Sequence, residues 1–171
     1  MSEELKIEIG GIIDNTFDYT LPLKELDELL SSRMKFARSV YGVRKDDVQI
    51  MEYAMLGYAL DFIDFARNNF DLEMNFDEEN LARYCEILGA VRKSFSEEPP
   101  PADFFNGFVK GATGFFGIMV IKNLGGNWAQ SNIGMTVIHN GTSAFVQNRV
   151  ARYMQNGEDD MAALYNVLKG A

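Results

Sequence analysis

Two pairs of carboxylates are the most chemistry-like pattern in this chain. Glu25 and Glu28 are three residues apart, and so are Asp61 and Asp64. Side chains at i and i+3 share a helix face, so two such pairs brought together could hold Mg²⁺ with its waters and support hydrolysis of a nucleotide or phosphate ester. Among 25 acidic residues, the same spacing also arises on an ordinary solvated acidic face. His139 is the single histidine and sits next to Asn140-Gly141. Ser143 and Asp103 are the partners a triad would need, but no nucleophile-elbow pattern surrounds them, so a turn-flanking surface histidine is expected. Cys85, the single cysteine, falls on an apolar helical face, where burial raises a thiol's pKa, and a core role is expected.

The two acidic pairs, Glu25-x-x-Glu28 and Asp61-x-x-Asp64, loosely resemble the paired acidic motifs of the all-α nucleoside-triphosphate pyrophosphohydrolases. The resemblance covers only these two short stretches and implies Mg²⁺ held by those four residues. The chain departs from the family pattern in three ways: Asp61 stands where the second motif ordinarily has Glu, the separation between motifs is wider, and no basic residues that would meet a triphosphate are evident.

A chain of 171 residues is about one domain and can bury roughly 70% of its unfolded surface, so it needs no disulfide staples. With a single cysteine, neither an internal disulfide nor a cysteine-cluster metal site can form. The start, Met1-Ser2-Glu3-Glu4, has no basic stretch leading into an apolar run, and a cytoplasmic, bacterial protein is expected. Charge is uneven. Residues 1–98 carry 21 Asp and Glu against 11 Lys and Arg, net −10, and residues 99–171 carry 4 against 5, net +1. Such a surface repels nucleic acid and anionic lipid, whose binding depends on basic patches. It suits solubility or a basic protein partner.

Periodicity places these residues. Leu5 to Ile9 alternates apolar and polar like a strand ahead of Gly10-Gly11. Leu23, Leu26, Leu30, Met34, Ala37 and Tyr41 recur at helical spacing, giving a helix over 22–41 between Pro22 and Gly42. Asp46 and Asp47 cap a second helix reaching Phe70, with Tyr53, Gly57, Asp61, Asp64 and Asn68 as its narrow polar strip. A third follows Asp77 as N-cap, with Leu81, Tyr84, Cys85, Leu88, Val91 and Phe95 facing the core. Pro99-Pro100-Pro101 cannot continue a helix and reads as a linker at 99–101 between an acidic helical subregion, 1–98, and a glycine-rich one, 102–171.

The second subregion opens with a helix over 102–124. Phe105, Phe108, Val109, Ala112, Phe115, Phe116, Met119 and Val120 form its broad apolar face, and Gly107, Gly111 and Gly114 align on the opposite side. Glycine costs about 0.5–1 kcal/mol inside a helix, so an aligned set implies close approach by another element, a ligand or a second subunit. The hairpin beyond Trp128 is the nearest element in the chain to cover that face. Lys110, Asn106, Asn123 and four glycines make a membrane span less fitting than a buried helix. Gly125-Gly126-Asn127 ends the helix and is no phosphate loop, because it follows a helix rather than a strand. Trp128 is expected as a core or junction anchor. A strand over 127–131, the alternation Ile133, Met135, Val137, His139, the Asn140-Gly141 turn and a return strand over 143–147 make a meander. Two helices follow, the first ending at Gly157 and the last opened by Glu158, Asp159 and Asp160.

The expected fold is therefore α+β and mostly helical, a single domain with about six helices and a short antiparallel β-meander in the C-terminal half. No cofactor pattern is present. Two functions follow. One is a non-catalytic cytoplasmic protein, immunity- or inhibitor-like, whose acidic half binds a basic protein. The other is the Mg²⁺-dependent hydrolase on Glu25, Glu28, Asp61 and Asp64. A homo-oligomer through the glycine stripe is a third possibility.

Overall fold

The computed structural model describes residues 17–41 and 48–171. The expected strand over 5–9, Gly42 and the caps Asp46 and Asp47 lie outside the described residues. The order is α1 (Leu23–Tyr41), α2 (Val48–Phe70), α3 (Leu81–Glu97), α4 (Ala102–Leu124), β1 (Asn127–Ser131), β2 (Gly134–His139), β3 (Thr142–Ser143), α5 (Val146–Asn156) and α6 (Met161–Gly170). Among the described residues, six helices and a three-stranded antiparallel meander make an α+β, mostly helical fold, with the sheet in the C-terminal half.

Helix α4 is the central element. Every residue from Gly111 to Val120 is buried, and its most extensive packing is against α2. By length and hydropathy, 1.4 over its best window, α4 could cross a membrane, but 67% of that window is buried in the fold. Aromatic rings join the helices. Tyr84 of α3 stacks on Phe115 of α4 with centroids 5.5 Å apart and planes 13° from parallel, and its hydroxyl donates to the Ala112 carbonyl at 2.9 Å. Phe62 of α2 contacts Tyr84, Phe108 and Phe115. Buried residues from both sides of the proline run form one hydrophobic cluster. The run forms the irregular connection between Glu97 and Ala102.

Several elements differ from the sequence reading. Tyr53, placed on the polar strip of α2, is 1% exposed and packs edge-on against Phe17 at 5.2 Å. Asp77 does not cap an α-helix: a 3₁₀ turn, Glu78–Asn80, comes first, and the Asp77 carboxylate accepts from Lys122 of α4. The return strand expected over 143–147 stops at Ser143. Phe145 adopts a left-handed conformation, φ 50 and ψ 47, its N–H donates to Thr136 Oγ1 at 2.7 Å, and α5 begins at the next residue. The Asn140-Gly141 turn is as expected, with φ 48 and 77, the two positive values that a two-residue type I′ hairpin demands. His139 is buried, not on the surface: its Nδ1 donates to the Gly125 carbonyl at 2.8 Å, which ties β2 to the end of α4.

Candidate functional site

Helices α2 and α4 run antiparallel, and the glycines of α4 record how their separation changes. A Cβ on Gly114 would lie 2.5 Å from the Met55 carbonyl oxygen and 3.0 Å from the Ala59 nitrogen. On Gly111 it would meet Tyr58 O at 3.3 Å and Phe62 Cβ at 3.4 Å, and on Gly107 it would meet nothing within 4 Å. The helices are pressed together at Gly114 and have parted by Gly107. Helix α2, not the hairpin, covers the glycine face. Trp128 of β1 is 4% exposed and lies instead against Gly117, one turn beyond.

Where the helices part they leave an open cleft of about 310 Å³. Phe62 and Phe65 of α2 form one wall, Phe104 and Phe108 of α4 the other, and Gly107 lies between them. The aromatic wall is braced from behind. Phe65 sits 5.5 Å from Phe108 and 6.5 Å from Phe104, and Phe95 of α3 holds Phe104 and Phe108 edge-on at 5.9 Å each. Phe104 is nevertheless 49% exposed. A large aromatic ring held in place at a solvent-open cavity is a surface that gains by being covered.

The charged groups lining this cleft are Asp61 on α2 and Asp103 on α4. Neither has an ion-pair partner among the described residues. Partial burial, and secondarily the Asp64 carboxylate, raise the pKa of Asp61. Asp64 is instead paired with Arg67 at 3.0 Å, and that guanidinium also makes two bonds to Glu73 at 2.8 and 3.0 Å. The two members of the second acidic pair therefore separate in role. Asp61 lines the cleft and Asp64 belongs to a surface ion-pair network. Glu25 and Glu28 are exposed on α1. Among the described residues, no three His, Cys, Asp or Glu side chains are grouped so as to hold a metal ion.

The remaining reactive groups are engaged in the fold. Cys85 is half-buried beside a second cavity, of about 360 Å³, with Asp159, Asp160 and Tyr153. Burial, reinforced by Asp160, pushes its thiol up to about 11, so it is protonated at neutral pH and is a poor nucleophile. His139 spends its Nδ1 proton on a backbone carbonyl.

Gly107 was legible in the sequence as a candidate contact, but Phe65, Phe104 and Asp103 were not recognised as its companions. Phe104 lies one turn before Gly107, toward the glycine side of α4 and off the apolar face. An aromatic on that side was the available signal. No protein-family model, curated protein or solved structure matches this chain.

Proposed function

We propose that the protein is a non-catalytic cytoplasmic binding protein whose acidic surface receives a basic protein partner. The observation that carries this reading is the cleft at Gly107, apolar in its walls, open to solvent, and charged, among the described residues, only by Asp61 and Asp103. Apolar walls supply affinity through burial, while the carboxylates select for a cation and repel acidic competitors. The net −10 of residues 1–98 extends that selectivity beyond the cleft, because long-range attraction raises the association rate of a basic protein.

The test is affinity capture at low and high salt with wild type, Phe104→Ser and the double variant Asp61→Asn/Asp103→Asn, followed by titration of the identified partner. A basic protein should be retained at low salt, released at high salt and lost from both variants, since exposed charges are screened within about 8–10 Å at physiological salt. Capture of an acidic partner, or of none in a salt-sensitive way, overturns the reading. Melting curves with Mg²⁺, Mn²⁺ and nucleotides test the hydrolase alternative in parallel, because a ligand of the native state raises the melting temperature.

A further inference from the structure

Resting on that reading, we infer that what enters the cleft is an amphipathic basic peptide segment, its apolar side chain seated over Gly107 and its Lys or Arg heads reaching Asp61 and Asp103. The geometry fixes the order of contacts. The floor is the bare backbone of α4 at Gly107, where nothing beyond the adjoining residues lies within 4 Å of a Cβ position, so there is room for an inserted side chain. Phe65, Phe104 and Phe108 surround that point and offer ring faces to an aliphatic or aromatic anchor. The volume, about 310 Å³, lies at the lower end of the range usual for pockets that accept compact ligands.

Charge decides which segments are admitted. Asp61 and Asp103 stand on opposite helices, one on each wall, so a segment lying between α2 and α4 can place a cation against each. A cation beside Phe104 also gains from the ring face. A purely apolar segment would cover both carboxylates without pairing them, which is costly, and an acidic segment would be repelled. This is recognition of an amphipathic element in a groove between helices, with apolar anchors and flanking charges. A second copy of the chain, net −9, would bring further negative charge to the same carboxylates.

Fluorescence anisotropy with three labelled peptides tests the inference: an alternating-block Leu/Lys amphipathic peptide, its Ser/Lys counterpart with the charge kept and the anchors removed, and its Leu/Glu counterpart. The Leu/Lys peptide should bind wild type, the Ser/Lys peptide at least roughly tenfold more weakly, and the Leu/Glu peptide not measurably. Gly107→Leu is the decisive variant. Its Cβ meets nothing within 4 Å and the rest of the side chain has the open cleft to fill, so it should weaken Leu/Lys binding by at least about tenfold while melting at or above the wild-type temperature. Equal binding to Gly107→Leu, or binding of the Leu/Glu peptide, overturns the inference. So does a wild-type dimer, by light scattering, that Gly107→Leu dissociates, since the occupant is then a second copy. Salt-sensitive capture of a basic protein by Gly107→Leu would remove the cleft as the site and leave the basic-partner reading standing, whereas loss of all such capture from wild type removes both.

Discussion

The indole of Trp128 occupies the space that a Cβ on Gly117 would need, with three ring carbons closing on that position. Gly117 thus admits β1 against α4, just as Gly114 admits α2. The four glycines of this helix consequently make a graded series. Gly107→Ala should stabilise by up to about 1 kcal/mol, because it gains helix propensity and meets nothing. Gly111→Ala should be close to neutral, its contacts being 3.3 and 3.4 Å. Gly117→Ala should destabilise by about 1–3 kcal/mol through overpacking of a buried ring. Gly114→Ala should cost at least as much, because the atoms it meets at 2.5 and 3.0 Å are backbone and cannot rotate away. Urea midpoints for the four variants check the order; a destabilised Gly107→Ala or a neutral Gly114→Ala would contradict the packing.

The sequence carried the helix ends well where a local signal marks them: Pro22 before α1, Gly157 in the left-handed conformation after α5, φ 73, and Asp160 accepting from the Ala162 and Ala163 N–H groups at the start of α6. It carried the glycine stripe as a close approach but not the identity of the approaching element, which is a long-range choice. Helix α2 comes more than thirty residues earlier in the chain, and the groups nearest to Gly111 and Gly114, the backbone carbonyls of Tyr58 and Met55, have no side-chain pattern to announce them. Alternation at Ser143 to Gln147 fits a strand locally, but only Thr142–Ser143 is one. A tertiary bond from the Phe145 N–H to Thr136 and the left-handed turn at Phe145 switch the chain into a helix instead. The cleft was visible only in part. Asp61 was singled out for its spacing to Asp64, whereas the cleft that it lines also takes Asp103, from another helix.

Glu78 fastens the C-terminal helix. Its Oε1 accepts from Lys169 at 2.6 Å and its Oε2 from the Tyr165 hydroxyl at 2.7 Å. The Lys169 bond first and the Tyr165 bond second hold its pKa below the ordinary 4.5. A depressed carboxylate contributes stability that is present above its unfolded pKa and is lost as pH falls through its folded pKa. Glu78→Gln should therefore melt slightly below wild type at neutral pH, with the gap closing on acidification below the ordinary glutamate range. A gap of constant size across that range would mean that the two bonds contribute through packing, not charge.

Asp61 has the opposite sign. Burial first and Asp64 second raise its pKa above the ordinary 3.8, so the folded protein holds this proton more tightly than the unfolded chain does. Ionised Asp61 therefore lowers stability, and the stability lost with the proton returns as pH falls through the raised value toward the unfolded one. Asp61→Asn should be at least as stable as wild type at neutral pH, with the advantage disappearing in acid. Because an entering cation pairs with the ionised form, wild-type affinity for the Leu/Lys peptide should drop on acidification through the same window. Asp103 faces the cleft as well, and Asp64 with its Arg67 partner lies on the same helix, so the Asp103→Asn variant is needed to assign the drop to Asp61. Pairing melts and anisotropy on both variants across that range separates the two carboxylates.

Tyr84 tests which interaction ties α3 to the central helix. It is fully buried, its ring is stacked on Phe115 and lies 5.8 Å from Phe116, and its hydroxyl donates to Ala112 O at 2.9 Å. The Ala112 carbonyl lies inside α4, where a helical N–H four residues on also bonds it, so losing the hydroxyl leaves no orphaned acceptor. Tyr84→Phe should accordingly cost only about 0.5–1.5 kcal/mol. Tyr84→Ala removes the ring from a packed cluster and should cost about 3–5 kcal/mol. Denaturant midpoints for the pair give the ratio directly. A Phe variant as damaged as the Ala variant would place the link between α3 and α4 in the hydrogen bond, and a mild Ala variant would mean that Phe115 and Phe116 can close the gap without it.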